Sequence, residues 1–531
     1  MNYYVATIGN DNNPGSVSLP WRTLQKAADA AGPKSHVMVA DGRYAGFDIL
    51  GQQHGGLLPR SPIVFAPVIP NSKNVIIDQP APSGKAGINI EDTKGLYLIY
   101  TFRVECTGPA SIRVVGSPNC SVLRCHTTGA PVSVLADNAP SLYLADCELH
   151  NGAPRVTNSA GWSMPGTIVS YDGLPPTPTA ATHFVATTGS DGNNGTTAAT
   201  PWKTLQKAAM TVKAGAVVSV AAGTYAGINL VGMAYGGTAA APISFIANTG
   251  DYRTSGVTVN AFAAGDDRHY ALINLEVTKG YFIVKGFNVA DNGSTQKAGI
   301  RVANGPGCQI LDNQVSGAFT GIFASLANGI VVEGNRCHHD YGQHGIYVNG
   351  TDGYAIRNNE CYGNNWDGIH LNVLDGGNLI NTNGLVEGNT VYNNTLSGFD
   401  ITGANFVTFR NNIVYGNQKH GMVFQNSNQN ATPACRDNLV VNNTIVSNGM
   451  HAIQFANNGN GNNSTGTTVF NNILIAASGY QAIYQAQAAA STFKSSNNLI
   501  SGSASTLFVN AGSGDYHLKS GSAAIGAGVA T

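Results

Sequence analysis

Eight short Asn-bearing segments recur through the second half of the chain. They are LDNQ, EGNR, RNNE, EGNT, RNNI, VNNT, FNNI and SNNL, aligned on Asn313, Asn335, Asn359, Asn389, Asn412, Asn443, Asn472 and Asn498. The steps between them are 22, 24, 30, 23, 31, 29 and 26 residues. Upstream of most of these turns lies a short apolar run: GIRVA, GIFAS, GIYVN, GIHLN, GFDIT, GMVFQ or AIQFA. A period of this length is the mark of a repeat architecture. Each period has room for two or three strands of four or five residues, closed by Gly/Asn turns, and for no helix. The repeating unit is therefore a coil of an all-β parallel β-helix. Asparagines at one corner can donate and accept along the stack at about the strand spacing of ~4.8 Å.

The chain has 531 residues, enough for two domains, with 65 Gly and only 11% charged residues, as a solenoid with many tight turns requires. The formal charge of −1 gives no reason to expect nucleic acid or an anionic membrane surface as a partner. No run of 18 apolar residues is present, so membrane insertion is not expected. Met1 is followed at once by the strand-like Tyr3–Thr7, which reads as a chain without a signal peptide. The eight cysteines form no CxxC motif. Cys106, Cys125 and Cys147, and likewise Cys337 and Cys361, fall at coil-length spacings and read as small apolar groups stacked inside the helix.

Residues 3–46 and 183–227 are two versions of one segment. The first reads YYVATIGNDNNPGSVSLPWRTLQKAADAAG and the second HFVATTGSDGNNGTTAATPWKTLQKAAMTVKAG. The likeness continues from GINIEDTKGLYLIYTFRVE (87–105) to ALINLEVTKGYFIVKGFNV (271–289). Each copy is expected to start a β-helix with a short capping helix. Pro20 and Pro201 are placed where those helices begin, and Leu24, Ala27 and Ala28, or Leu205, Ala208, Ala209 and Val212, form the buried stripe. The division read from this pattern is a short β-helix over 1–172, a Pro/Thr-rich linker over 173–182 and a long β-helix over 183–531. The segment DYHLKSGSAAIGAG (515–528) is expected to finish the stack. The first domain carries few outward acids or histidines (Arg113, His126, His150) and reads as a docking or spacer unit.

The two YYVATIGNDNNPG and HFVATTGSDGNNG starts, the TLQKAA helices, the DGRY and AGTY strand ends and the closing DYHLKSGSAAIGAG resemble right-handed parallel β-helix proteins of the pectate lyase-like superfamily. The resemblance covers most of the chain. It implies a right-handed coil and an extracellular or virion-associated protein acting on polysaccharide. It does not choose among lyases, glycoside hydrolases, epimerases and tailspikes, which share the scaffold.

Aligning the coils on the Gly-Ile-x-Val run gives an outward column: Arg301, Phe323, Tyr347, His370, Asp400, Val423, Gln454 and Tyr484. Tyr347, His370 and Asp400 are expected as a vertical trio facing solvent. A second column before the Gly holds Thr320, His344, Asp367, Ser397, His420 and His451, and a third after the strand holds Asn349, Asn372, Thr402 and Gln425. The expected groove spans 340–425. In it Tyr347, Tyr341 and Trp366 stack on sugar faces, while His344, Asn349, Asn372, His420 and Gln425 complete the binding surface. For β-elimination of a uronate polymer, His370 is the candidate base, oriented by Asp400, and Tyr347 the proton donor. Hydrolysis needs two carboxylates flanking the bond; the candidates, Asp367 and Asp400, come out about 11 Å apart on extended-strand spacing.

His338, His339 and Asp340 could reach the same groove through a turn, but no matching further ligands make a metal site of them. Calcium, which the resemblance would bring, needs an aspartate cluster. The one Asp-Asp pair is Asp266–Asp267, ahead of the long stack. The Asn-Thr-Asp, Asp-Asp and Arg-Ile-Lys set of polygalacturonases and the Asp-Pro-His of mannuronan epimerases are missing, and Lys419 is the one lysine near the columns. No cofactor and no metal are therefore expected. The reading is a lyase on a uronate-containing polymer. The alternatives are a glycoside hydrolase on the same scaffold, or a non-catalytic carbohydrate-binding or structural β-helix such as a virion spike, for which a homotrimer is the natural assembly.

Overall fold

The residue before each aligned asparagine is Asp, Gly or Asn, and the backbone explains why. Asp312, Gly334, Asn358, Gly388, Asn411, Asn442, Asn471 and Asn497 all lie in the left-handed region, with φ between 51° and 68°. That region is cheap for Gly and tolerable for Asn and Asp, so EGN, RNN and LDN are one turn written three ways. The computed structural model describes residues 2–529 except 52–54, 56–61, 70, 71, 73, 131, 146, 151–154, 158, 160–167, 171–179, 292, 294–297, 374–380, 426–434, 457–463, 487–492, 501 and 502.

The asparagines form a continuous ladder inside the corner. Asn313 Nδ2 donates to Asn335 Oδ1 at 3.0 Å, and the same bond repeats upward through Asn359, Asn389, Asn412, Asn443 and Asn472 to Asn498 at 2.8–3.1 Å. Each Oδ1 also accepts the main-chain N–H of the asparagine below it, as at Asn313 and Asn335. Buried amides are thus satisfied by their own copies, which stabilises the stack only when every coil supplies one.

A second ladder, five residues further on, links Asn364, Asn394, Asn417 and Asn448 at 2.8–2.9 Å. It runs beneath the Gly that opens each strand of the third sheet. A Cβ on Gly345 would meet Asn364 Nδ2 at 2.8 Å, and one on Gly368 would meet Asn394 Nδ2 at 2.8 Å. The Gly-Ile-x-Val signature is therefore a packing demand of this ladder.

The chain divides into two compact units, Met1–Leu174 and Pro175–Thr531. Among the described residues, the first carries parallel sheets of six, five and six strands, and the second parallel sheets of twelve, ten and ten. Successive strands of one sheet are a full coil apart in sequence, so each sheet is one side of a helix. The first and second sheets of the long unit meet at the first Asn ladder, and the second and third sheets meet at the other. Apolar residues fill the interior, including the phenylalanine series Phe399, Phe409, Phe424 and Phe455. All eight cysteines are buried thiols. Cys337 sits in register with Cys361. Cys106 does not sit beneath Cys125, because Arg103 pairs with His126 and so Phe102 takes that place.

Each unit opens on a strand, Asn2–Val5 or His183–Val185, followed by a helix, α1 (Leu24–Ala30) or α2 (Leu205–Thr211). The helices start at Thr23 and Thr204, whose side chains accept N–H bonds from Lys26 and Lys207 at 3.1 Å. Pro20 and Pro201 thus lie in the approach and not at the first helical turn. Asp11 fixes that approach by accepting from Arg22 N, Thr23 N and Thr23 Oγ1, and Asp191 does the same for Lys203 and Thr204. Most of the expected linker, 173–179, lies outside the described residues.

The closing segment does not extend the stack. Phe508–Asn510 and Asp515–Leu518 form an antiparallel hairpin. It packs on the outer side of the second sheet, against Val446, Tyr415, Ile473 and Ile475. The outward Val446 and the exposed edge of Tyr415 supply the apolar patch that draws it there.

Candidate functional site

The strands Ile346–Asn349, Ile369–Asn372, Phe399–Thr402 and Met422–Gln425 of the third sheet carry the site. Their register pairs Tyr347 with His370, His370 with Asp400, and Asp400 with Val423, so the outward column stands as aligned from the sequence. Its exposure differs from expectation. His370 is 7% exposed, because the rings of His344 and Tyr347 cover it at centroid distances of 4.4 and 4.9 Å. Flanking columns close over a residue that alternation alone points to solvent.

His370 Nδ1 lies 3.2 Å from the main-chain oxygen of Asp400 and 3.5 Å from Asp400 Oδ2. A carbonyl oxygen only accepts, so Nδ1 carries the proton and Nε2 holds the free lone pair. Asp400 is fully engaged in orienting that ring: its Oδ1 accepts from Gln425 Nε2 at 2.6 Å and from Thr402 Oγ1 at 3.2 Å. Asn372 Nδ2 donates to Tyr347 Oη at 2.7 Å. Its bond leaves the phenolic proton to point elsewhere.

Asp367 is buried and also occupied. Oδ1 accepts Ser397 N–H at 2.7 Å, and Oδ2 stands 3.3 Å from His344 Nδ1, which itself accepts the main-chain N–H of Asp367 at 3.4 Å. Burial holds the His370 imidazole below its ordinary range despite Asp400, and drives His344 down to about 3. Burial likewise pushes the Asp367 and Asp400 carboxyls up, against the opposing pull of His370. Both carboxylates reach the same imidazole, Asp400 at 3.5 Å and Asp367 within 4.8 Å, so they stand closer than the extended-strand figure of about 11 Å. Asp367 leans inward instead of standing off the sheet.

Of the binding residues, Trp366 is 42% exposed and presents its edge to His344 at 5.4 Å. Tyr341 is exposed on a turn and packs edge-on against Phe319 at 5.8 Å, outside the His370 cluster. Asn349 is buried beside Asn372, with an Oδ1 that has no partner among the described residues. His420 stands one coil above Ser397 and stacks on His451 at 5.5 Å, and burial lowers it to about 4. His338 and Asp340 do not join the groove. His338 lies on the second sheet, stacked on Tyr362, and Asp340 is buried at the foot of the second ladder. In the first unit, Arg113 is tied to Glu91 and Asn89, and the side chain of His150 lies outside the described residues.

His344, Asp367 and His370 form the one group of the described residues with three metal-ligating atoms within 4.8 Å of one another. Calcium takes six to eight oxygens, and this set offers two nitrogens and a carboxylate. The imidazoles also lie stacked at 20°, so their in-plane lone pairs run side by side and do not converge. The group does not fit calcium.

Residues 273–435 match the family described as right handed beta helix region, and residues 7–95 match a family described as protein of unknown function (DUF1565). The molecule is a right-handed parallel β-helix. No curated protein sequence matches it. Among solved structures it is similar to a pectate lyase, at 16% identity and TM-score 0.48 over 66% of this chain and 91% of that one. It is similar to a rhamnogalacturonan lyase at 19% identity and TM-score 0.34, over 62% and 91%. A third likeness is to the A-module of a mannuronan C-5 epimerase from Azotobacter vinelandii, at 12% identity and TM-score 0.32, over 90% and 93%. No helix among the described residues is long and apolar enough to cross a membrane.

Proposed function

We propose that the long unit cleaves a uronate-containing polysaccharide by β-elimination. The observation that carries this reading is the division of labour around His370. Asp400 holds Nδ1 of the ring, Asp367 Oδ1 is taken by Ser397 N–H, and the groups assigned to proton transfer are His370 Nε2, which carries the lone pair, and the Tyr347 phenol, which accepts from Asn372. In the reaction, His370 Nε2 takes the proton beside the uronate carboxylate. The electrons of that C–H bond form the carbon–carbon double bond, the glycosidic C–O bond breaks, and Tyr347 gives its proton to the leaving oxygen. The exposed Trp366 offers an aromatic face to a neighbouring sugar. Hydrolysis fits less well, since it requires one carboxyl free to donate and another free to activate water or attack.

The test is incubation of the purified protein with polygalacturonate, alginate, hyaluronan and neutral polysaccharides, following unsaturated-uronate absorbance and reducing ends together. Both signals rising on an acidic polymer is the expected result. Reducing ends without absorbance would replace this reading by hydrolysis, and silence with binding retained would replace it by a carbohydrate-binding role.

A further inference from the structure

Two residues before the Gly or Ala that opens each third-sheet strand, one residue per coil stands on the rim of the groove. These are Gln343, Trp366, Leu396, Lys419, Met450 and Tyr480. Main-chain bonds hold the first five in a single file: Trp366 N to Gln343 O at 3.0 Å, Leu396 N to Trp366 O at 2.9 Å, Lys419 N to Leu396 O at 2.9 Å and Met450 N to Lys419 O at 2.8 Å. One coil higher Ala477 takes the main-chain bond to Met450 O at 3.1 Å, and Tyr480, bonded to Ala477 O at 3.0 Å, brings its ring to 5.0 Å from that of His451. The rim is unusual for the surface of a soluble coil. Trp366 and Tyr480 are 42% and 43% exposed, and Leu396 and Met450 are half-buried between them. Lys419, the one cation in the file, is exposed and forms no ion pair among the described residues. Its charge is felt at the site nonetheless, since it favours the ionised form of Asp367 and disfavours protonation of His420.

We infer that this rim is an axial binding ridge for a linear anionic polysaccharide, with Trp366 and Tyr480 as stacking points and Lys419 as the contact for a sugar carboxylate. The inference rests on the uronate reading above and adds the path of the chain and its specificity residues. An exposed file repeating at the strand spacing, about 4.8 Å per coil, suits a ligand that is itself a regular linear repeat. Trp366 and Tyr480 are four coils apart, about 19 Å along the axis, so only a ligand several sugars long reaches both. An ammonium without an ion pair among the described residues, on a rim that carries no other charge, selects for an anion over a neutral chain. The ridge adjoins the site through Trp366, whose ring lies 5.4 Å from that of His344, which in turn stacks on His370 at 4.4 Å.

The experiment is equilibrium calorimetry of the full-length protein with dimers and hexamers of galacturonate, of alginate and of fully methyl-esterified galacturonate. The proteins compared are wild type, Tyr480→Ala, Lys419→Ala and Lys419→Arg, all changed at surface positions. Tyr480→Ala is expected to weaken hexamer binding about tenfold and leave the dimer unchanged. Lys419→Ala is expected to weaken the acidic hexamer to a similar degree and flatten its salt dependence. Methyl-ester binding should not respond to that change, and Lys419→Arg should restore the acidic hexamer. The ridge is overturned if no acidic hexamer binds, or if the losses are independent of ligand length and charge. Because binding needs no turnover, the two proposals separate. Ridge-dependent binding without elimination would sink the lyase reading alone, and elimination with Tyr480→Ala and Lys419→Ala indistinguishable from wild type would sink the ridge alone.

Discussion

Asp340 stands where the second ladder would place one more asparagine. Its N–H donates to Asn364 Oδ1 at 3.2 Å and its Oδ1 accepts Ala318 N–H at 3.0 Å, as an asparagine's would. Oδ2 takes the place of the amide NH2, is buried and has no partner among the described residues. Burial therefore raises its pKa well above the ordinary carboxyl value, and the folded state prefers it protonated. A carboxyl raised on folding contributes stability below its unfolded pKa of about 3.9 and loses it as pH rises toward the folded value. Asp340→Asn should accordingly be more stable than wild type by about 1–3 kcal/mol near neutrality, with the gain vanishing below pH ~4. Denaturant titrations at the two pH values check this. For His370 the expected pH behaviour follows from its lowered pKa. The base is unprotonated at neutral pH, and kcat/KM should hold steady on acidification past the ordinary imidazole value of about 6.5 before it falls. A fall centred at or above that value in a pH–rate profile would contradict the buried site. The outward column was legible because strand alternation is strict, whereas the burial of His370 and the inward lean of Asp367 were not. Those depend on how residues of neighbouring columns fold over one another, and sequence spacing carries no such information.

At the scale of the elements, the first Asn ladder is a chain of mutual satisfaction. Asn389 donates to Asn412 Oδ1 and to Ile356 O, and accepts from Asn359 N and Asn359 Nδ2. Replacing it by Ala leaves several of these buried groups unpaired at once, so Asn389→Ala should cost about 3 kcal/mol or more, read as a lowered unfolding midpoint. A cost under about 1 kcal/mol would mean that the ladder is decoration. This ladder was readable because eight copies repeat one turn. The second one was present in the sequence as Asn five residues after the first in EGN and RNN coils, and its Asp340 variant obscured it. The closing hairpin could not be read at all, since a short antiparallel pair can dock wherever an apolar patch is offered, and Val446 on the second sheet offers one. Pro20 misled for a related reason: Thr23 supplies the helix start through a side-chain bond that outweighs a proline's preference for the first turn.

For the whole molecule, the long unit has its own core, a cluster of described residues running from Val185 to Leu474. A protein lacking residues 1–174 should therefore fold and retain cleavage, with unchanged kcat as the readout. Loss of activity from a folded truncation would assign the first unit a part in the reaction. The most direct test of the central claim compares wild type with His370→Ala on an acidic polymer that wild type degrades, following unsaturated-uronate absorbance at saturating substrate. A fall in kcat of about 10²- to 10⁴-fold with binding retained is the predicted result, the range expected for loss of a general base. Unsaturated product released by His370→Ala at the wild-type rate would contradict the account, which assigns the proton abstraction to His370.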